Sequence, residues 1–268
     1  MIHGFKPLEA YASAYAALVQ ATPGCRVVPV GRPGSVICTV TPFPFADFNR
    51  VMTVRLVADE IDAAIGNALA AHRAARVPGS WWLEAETTPV GIERALERHG
   101  YRRGAAAPAM SRELDDLPDA EPPPGVELSF VRGREPMRQV QRLIALGFGR
   151  PPAIAEMMAE VVAPLGDEPD TPIRVVIASL DGMPVASATA ITVGEVCGVF
   201  TVTTLPEARG KGLGGATTLA VLRDARERGA RVAVLHASDL GFGVYARMGF
   251  RHVGDFDRFV SSPDGVGI

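Results

Sequence analysis

The sequence predicts an α/β chain of layered α+β type, with a mixed central sheet flanked by helices. Three observations lead there. Segments rich in β-branched residues alternate with segments whose apolar residues recur every three or four positions. A run of prolines and acids, DDLPDAEPPPGVEL, interrupts this pattern near the middle. Pro118, Pro122, Pro123 and Pro124 fit neither a helix interior nor a central strand. Finally, the two sides of this break end alike. ALERHGYRRG (95–104) and VYARMGFRHVG (244–254) each read as a helix end, a glycine, an aromatic and a basic pair. Gly100 and Gly249 both suit the left-handed residue that closes a helix. We read an internal duplication whose first copy has drifted. The expected organisation is a first domain at 1–115, a proline-rich linker at 116–125 and a second domain at 126–268.

In the first domain, Tyr11, Tyr15, Leu18 and Val19 recur at helical spacing close to the start. A strand is expected at 51–57 and a helix at 59–76, with Ile61, Ile65, Leu69 and His72 along one face. A strand follows at 81–85. Its neighbours Trp81 and Trp82 must face opposite sides, one toward the core and the other free to line an interface. A helix at 91–99, Tyr101 and the strand-like AMSREL close the domain.

The second domain opens with a strand at 126–131. A helix at 135–148 carries Met137, Val140, Leu143, Ile144 and Phe148 on one side, and a second helix covers 152–165. Strands at 173–180 and 185–193 flank a DGMP turn and form a hairpin. Another strand at 196–203 runs into a glycine-rich turn, then a helix to about residue 228. A strand at 231–236, a short helix at 239–248 and a strand at 250–260 complete the order β-α-α-β-β-β-α-β-α-β.

Composition excludes several classes. The 268 residues are 47% hydrophobic and 21% charged, with net charge −3 and pI about 6.0. That is the balance of a soluble globular protein, and not of a non-specific nucleic-acid binder. Cys25, Cys38 and Cys197 are far apart and form no C-x-x-C, so neither a disulfide framework nor a zinc site is expected. They read as inert thiols of a cytoplasmic protein. The five histidines show no H-E-x-x-H, and no metal is expected. No stretch is long enough to span a bilayer, so no membrane association is expected either.

The segment with chemistry in it is Arg209-Gly210-Lys211-Gly212-Leu213-Gly214-Gly215, between a strand and an amphipathic helix. Its four glycines would each cost roughly 1 kcal/mol inside a helix relative to alanine. At a strand-to-helix turn they let the backbone turn sharply and approach a ligand. The first amides of the helix lack intrahelical acceptors and, with the helix dipole, attract phosphate. Arg209 and Lys211 add positive charge. A P-loop is absent, because G-x-x-x-x-G-K-[ST] does not occur. A dinucleotide fingerprint is disfavoured, since the loop follows a late strand and the next strand ends in Leu235, His236 and Ala237 with no acid.

Arg209-x-x-Gly212-x-Gly214 matches the [Q/R]-x-x-G-x-[G/A] pyrophosphate signature of the GNAT acetyltransferases. Pro206 upstream and Tyr245, Gly249 and Phe250 downstream stand at that family's spacing. On these residues the chain resembles the GNAT superfamily, closely over 126–260 and weakly over 35–115, and its layout resembles tandem-GNAT proteins. The resemblance implies a tandem GNAT fold, acetyl-CoA as co-substrate and a primary amine as acceptor, in a small molecule or a peptide. It implies that backbone groups of Val202, Thr203 and Thr204 pair with the pantetheine arm. The amides of Gly210, Lys211, Gly212, Leu213, Gly214 and Gly215, helped by Arg209, are expected to hold the pyrophosphate. Tyr245 corresponds to the general acid that protonates the leaving thiolate. Ser238 stands where the family often has Asn, able to cap the short helix but weaker as a CoA contact. The family's strand carboxylate would fall near Gly198. That leaves Glu195, close to the start of the same strand, as the candidate base, with His236 as an alternative.

In the first domain the glycine loop is replaced by VRLVADEIDAAIG (54–66). Asp59, Glu60 and Asp62 crowd the helix start, where they satisfy the dipole and repel a pyrophosphate. One CoA per chain is therefore expected. The competing reading is a non-catalytic acyl-CoA-binding or scaffold protein that keeps the loop, against which Tyr245 argues. The acceptor, the acyl length and the oligomeric state are left open.

Overall fold

The computed structural model describes residues 5–168 and 171–261. Along the chain come helix α1 (Pro7–Ala21), strands β1 (Arg26–Val28), β2 (Ile37–Val40) and β3 (Arg50–Met52), and helix α2 (Ile61–Ala74). Then follow β4 (Gly79–Leu83), α3 (Ile92–Arg98), β5 (Arg102–Arg103) and β6 (Ala107–Glu113). After the prolines come β7 (Val126–Phe130), α4 (Arg134–Gly147), α5 (Pro152–Val162), β8 (Ile173–Leu180), β9 (Met183–Val193) and β10 (Val196–Thr204). The chain ends with α6 (Leu213–Glu227), β11 (Val232–His236), α7 (Asp239–Arg247) and β12 (Arg251–Ser261).

These elements group into two compact units that interleave along the chain. The first takes the residues up to Pro23 together with Met110–His252, and the second takes Gly24–Ala109 with the residues from Val253 onward. The grouping thus differs from two consecutive halves: α1 belongs with the later elements, and residues 116–125 lie within the span of the first unit.

In the first unit the strands lie in the order β7-β8-β9-β10-β11-β6. β7 to β10 are antiparallel neighbours, as hairpin connections allow, whereas β10 and β11 are parallel and joined through α6. Side chains alternate across β10. Cys197 and Val199 point to the face covered by α6, packing with Val221, Leu222 and Ala225. Gly198 and Phe200 point to the other face, where α1 lies: the rings of Tyr11 and Tyr15 stand 5.4 and 5.7 Å from that of Phe200. A Cβ on Gly198 would come within 2.6 Å of Ala14 Cβ, so the helix needs a glycine beneath it. The buried threonines of α6 keep their hydroxyls satisfied within the helix, Thr217 on Leu213 O (3.1 Å) and Thr218 on Gly214 O (2.7 Å).

The second unit orders its strands β1-β2-β3-β4-β12, with β3 and β4 parallel. Its core joins Val51, Val54, Ile65, Ala68, Trp81, Leu96, Tyr101 and Phe259. Trp81 and Trp82 do face opposite sides of β4, yet both are core residues, 0% and 1% exposed. Trp81 meets Tyr101 edge-on at 6.4 Å. Trp82 lies under two guanidiniums, Arg50 at 4.0 Å and Arg258 at 4.9 Å, and against Phe256. The expected interface role for one tryptophan therefore falls away, because β4 is central in its sheet and buried on both faces.

Other boundaries move for local reasons. The strand expected at 51–57 stops at Met52, because Thr53 takes a positive φ of 51°. The helix expected to 165 ends at Val162 and tightens into a 3₁₀ turn at Ala163–Asp167 around Pro164. Phe148 is the C-cap of α4 and is 50% exposed instead of sharing its buried face. β1 and β2, three and four residues long, are too short for a strand pattern to show in the sequence.

Candidate active site

The site starts with a parting of two strands. β10 pairs with β11 across three positions, Val196↔Val232 to Gly198↔Val234. Beyond Gly198 the pairing with β9 continues, but with a register shift between Phe200 and Thr203. Within that bulge Thr201 has φ 47° and its hydroxyl donates to Thr189 Oγ1 at 2.8 Å. Positive φ is unfavourable for a β-branched residue, and such strain, of order 1–3 kcal/mol, persists only where the surroundings impose it. The bulge turns β10 away from β11. Val202, Thr203 and Thr204 are thereby left with one backbone edge facing the gap, which suits an extended amide-bearing ligand.

The glycine-rich turn lies at the end of the same strand. Pro206–Ala208 form a 3₁₀ turn, and Gly210 and Gly212 take φ 77° and 78°, conformations that favour glycine. Gly212 is the N-cap of α6 and supplies no side-chain cap. The first backbone bond of the helix runs from Ala216 N to Gly212 O (3.0 Å), which leaves the amides of Leu213, Gly214 and Gly215 pointing outward from the helix start. Gly214 and Gly215 are helical, and packing leaves space for a side chain there. A Cβ on Gly214 would lie 3.4 Å from Thr204 Oγ1, and one on Gly215 would lie 3.8 Å from Met248 Sδ. Neither glycine is demanded by the protein's own packing, and both cost helix stability.

Lys211 is exposed beside this turn. Arg209 is held across its base: Nε donates to Thr204 O and Nη2 to Gly147 O, both at 3.2 Å. The guanidinium thus ties the end of β10 to the end of α4, and Gly147 lies directly against the Thr203 side chain.

Tyr245 lies on α7 within the core cluster that includes Leu235, Ala237 and Phe250. It is 8% exposed, with its ring 5.7 Å from that of Phe250. Burial pushes the phenol well above its usual range, so the group stays protonated. Ser238 caps α7, its Oγ accepting from Gly241 N at 3.3 Å.

The structure does not bring Glu195 to this end of the strand. It sits in the β9–β10 turn, exposed and 3.7 Å from Arg231, a whole strand length from the loop, roughly 30 Å at 3.3 Å per residue. Cys197 is fully buried, and burial raises its thiol to about 12, which removes it as a nucleophile. His236 ends β11 at the parting of the strands, and its Nδ1 is 2.6 Å from the Tyr11 hydroxyl. The sequence pattern puts Tyr11 on a helix, but nothing in a helical apolar spacing says which sheet the helix covers.

The second unit repeats part of this arrangement. Val51-Met52-Thr53-Val54 parallels Val199-Phe200-Thr201-Val202, and both threonines have positive φ. Gly100 and Gly249 share φ 85°, and Tyr101 N and Phe250 N donate to Leu96 O and Tyr245 O, each at 3.0 Å. Leu96 therefore stands where the first unit has Tyr245. The gap after the bulge is filled as well: Thr88 N donates to Val54 O (3.0 Å) and Thr88 O accepts from Leu56 N (3.1 Å). At the start of the following helical turn, Glu60 accepts from Val57 N at 3.1 Å, filling a place an anion would need. The V-x-T-V run thus occurs in both units, at 51–54 and 199–202.

Residues 134–253 match the family model described as an acetyltransferase (GNAT) domain. No curated protein matches the chain. Among solved structures, a GCN5-related N-acetyltransferase from Kribbella flavida is similar at TM-score 0.71 and 23% identity, over 94% of this chain and 95% of that one. A GCN5-related N-acetyltransferase from Sphaerobacter thermophilus is similar at TM-score 0.62 and 18% identity, over 85% and 81%. A tandem GNAT protein from the clavulanic acid biosynthesis pathway is similar at TM-score 0.55 and 16% identity, over 96% and 95%. At these identities the likeness is one of fold. Among the described residues no helix is long and apolar enough to cross a membrane, and no three His, Cys, Asp or Glu cluster as metal ligands would.

Proposed function

Residues 134–253 being a GNAT acetyltransferase domain, we propose that the chain transfers an acetyl group from acetyl-CoA to a primary amine, by direct attack, at one site in the first unit. The observation that carries this reading is the pair of helical glycines, Gly214 and Gly215, which the protein's packing does not require. They stand at an uncapped helix start beside two cations. A diphosphate is the ligand that makes use of all three features.

In this reading the amides of Gly210 to Gly215, with Arg209 and Lys211, hold the pyrophosphate of acetyl-CoA. Val202, Thr203 and Thr204 offer their backbone edge to its pantetheine arm, with Arg209 already on the Thr204 carbonyl, and Ser238 lies at the margin as the cap of α7. Acetyl-CoA supplies a thioester whose carbonyl carbon is open to an amine. The chain's own residues orient the reactants and move protons. Tyr245 keeps its proton at any working pH and donates it to sulfur as the C–S bond breaks, regaining one from the amine nitrogen. Neither a covalent acyl-enzyme nor a metal is required.

The second unit is, in this reading, a degenerate copy that binds no CoA: Leu96 replaces the tyrosine, Thr88 fills the gap and Glu60 fills the anion place. A cytoplasmic setting and a small-molecule or peptide acceptor, with no nucleic acid or membrane as partner, complete the proposal. The test is incubation of the full chain with acetyl-CoA and a panel of primary amines: amino acids, polyamines, amino sugars and peptides with free N-termini. Thiol release with a mass gain of one acetyl group on an amine is expected. Tight binding of acetyl-CoA with no acetylated amine would favour a binding or scaffold protein instead.

A further inference from the structure

An amine arrives at neutral pH as an ammonium ion, and Tyr245, which holds its own proton, does not take the one it must lose. We propose that His236 is the proton acceptor and that Tyr11, reaching in from α1, is the residue that positions its ring. This rests on the acetyl-transfer reading.

The placement comes from the strands. The last β10–β11 pair is Gly198↔Val234, so His236 is two residues into the parting. By strand alternation it shares a face with Val234, the face on which Gly198 and Phe200 meet α1. Gly198 has no side chain, and α1 fills the space above it. α1 thereby delivers Tyr11, a fully buried tyrosine (0% exposed), whose hydroxyl reaches Nδ1 at 2.6 Å. The two rings stand edge to face, 5.6 Å apart, and Phe200 backs the tyrosine at 5.4 Å. A hydrogen bond and an edge-to-face ring contact from Tyr11, itself backed by Phe200, therefore hold the imidazole plane.

With Nδ1 engaged, Nε2 carries the chemistry. A ring that donates Nδ1–H to the Tyr11 oxygen keeps a lone pair on Nε2 when neutral, and the same bond survives when Nε2 is protonated. No reorganisation is needed as the proton arrives. One ammonium N–H bond breaks and its proton goes to Nε2. The freed lone pair forms the C–N bond, the C–S bond breaks, and sulfur takes the Tyr245 proton. The phenol is restored by the second proton leaving nitrogen, and the imidazolium releases its own to water. Of the ionisable groups on the elements packed here, Tyr11 on α1 contacts the His236 ring directly and Tyr15 lies one turn along the same helix against Phe200; on β6, Leu114 N donates to Arg231 O, which sets Arg112 and Glu113 beside the start of β11, away from His236. β10 carries no charged residue, and its Cys197 faces the other way.

The test uses the full chain labelled with ¹⁵N-histidine, with and without acetyl-CoA, and His236→Gln to assign the signal. The neutral His236 ring should be the Nδ1–H tautomer, and Tyr11→Phe should convert it to a mixture while leaving acetyl-CoA affinity unchanged. With the panel amine that gives the fastest thiol release, His236→Gln should lower kcat by about 10²–10⁴-fold and remove the acidic limb of the kcat/KM profile. Tyr11→Phe should shift that limb and lower kcat/KM about tenfold, with binding intact. A neutral ring found as Nε2–H, or an acidic limb unmoved in His236→Gln, overturns the proposal while leaving acetyl transfer standing. Absence of any acetylated amine from a wild-type chain that binds acetyl-CoA overturns the transfer reading, and the role of His236 with it.

Discussion

Thr53 and Thr201 each stand third in a Val-x-Thr-Val run and hold nearly the same backbone conformation, φ 51° and 47°. In both units the strand turns away from its parallel neighbour at this residue. What differs is what lies beyond. In the second unit Thr88 bonds to Val54 and Leu56, and the gap is closed by the chain itself. In the first, the edge of Val202–Thr204 is left toward the gap.

The first prediction follows from that contrast. Isothermal titration of the full chain with acetyl-CoA should give a stoichiometry near one. Changing Arg209 and Gly212 together to glutamate should leave no residual binding. A second site surviving the double change would mean that the Thr88 segment yields to a ligand.

Acetyl-CoA should also raise the melting temperature, with a linkage gain of about 2.7 kcal/mol at 100 times Kd. Gly215→Ala should separate stability from binding. Gly215 lies in the first turn of α6, where alanine favours the helix over glycine by less than the roughly 1 kcal/mol of an interior position, and there is room for the methyl group. Cβ bonds tilt toward the helix start, however, where the pyrophosphate would lie. The apo variant should melt higher than wild type and gain less from acetyl-CoA. A variant with undiminished gain would remove the main support for a diphosphate at this turn.

Tyr245→Phe keeps the ring packed against Phe250 and removes only the hydroxyl. Stability should change little and acetyl-CoA affinity hardly at all. General acid catalysis is worth about 10²–10⁴-fold, and kcat should fall by that order. A loss below threefold, with chemistry rate-limiting, would assign the proton to water.

His72 supplies a pH dependence. It is 1% exposed, its Nε2 bonds to Thr39 O at 3.0 Å, and its Nδ1 has no partner among the described residues. Burial lowers its pKa below the ordinary histidine value. The unfolded chain then binds the proton more readily than the folded one. The stability associated with a neutral His72 is complete above the unfolded pKa of about 6.5 and is lost as pH falls toward the lower folded value. Denaturant midpoints from pH 7 to pH 5 should decline more steeply in wild type than in His72→Met, by up to ~1.4 kcal/mol per pH unit. Parallel slopes would show that the buried ring does not titrate in this range.

Much of the first unit was legible in sequence because its signals are local. Pro206, the four glycines and the Tyr245-to-Phe250 corner are each fixed by neighbours within a few residues. Ser238 capped its helix as its residue type suggested. The unread parts depend on distant partners. β1 and β2 are too short to show a period, and the burial of Trp82 depends on Arg50 and Arg258 meeting over one ring. The grouping of α1 with β10 depends on a helix seating over Gly198, which no periodicity in either segment encodes.

That seating has a consequence for synthesis. α1 leaves the ribosome long before β10 exists to receive it. At 5–20 residues per second, Gly198 follows Ala14 by on the order of ten to forty seconds. During that interval the apolar side of a fifteen-residue helix, with Tyr11 and Tyr15, has no seat in its own unit. A nascent chain of this kind invites holding by a chaperone until the sheet behind it is made.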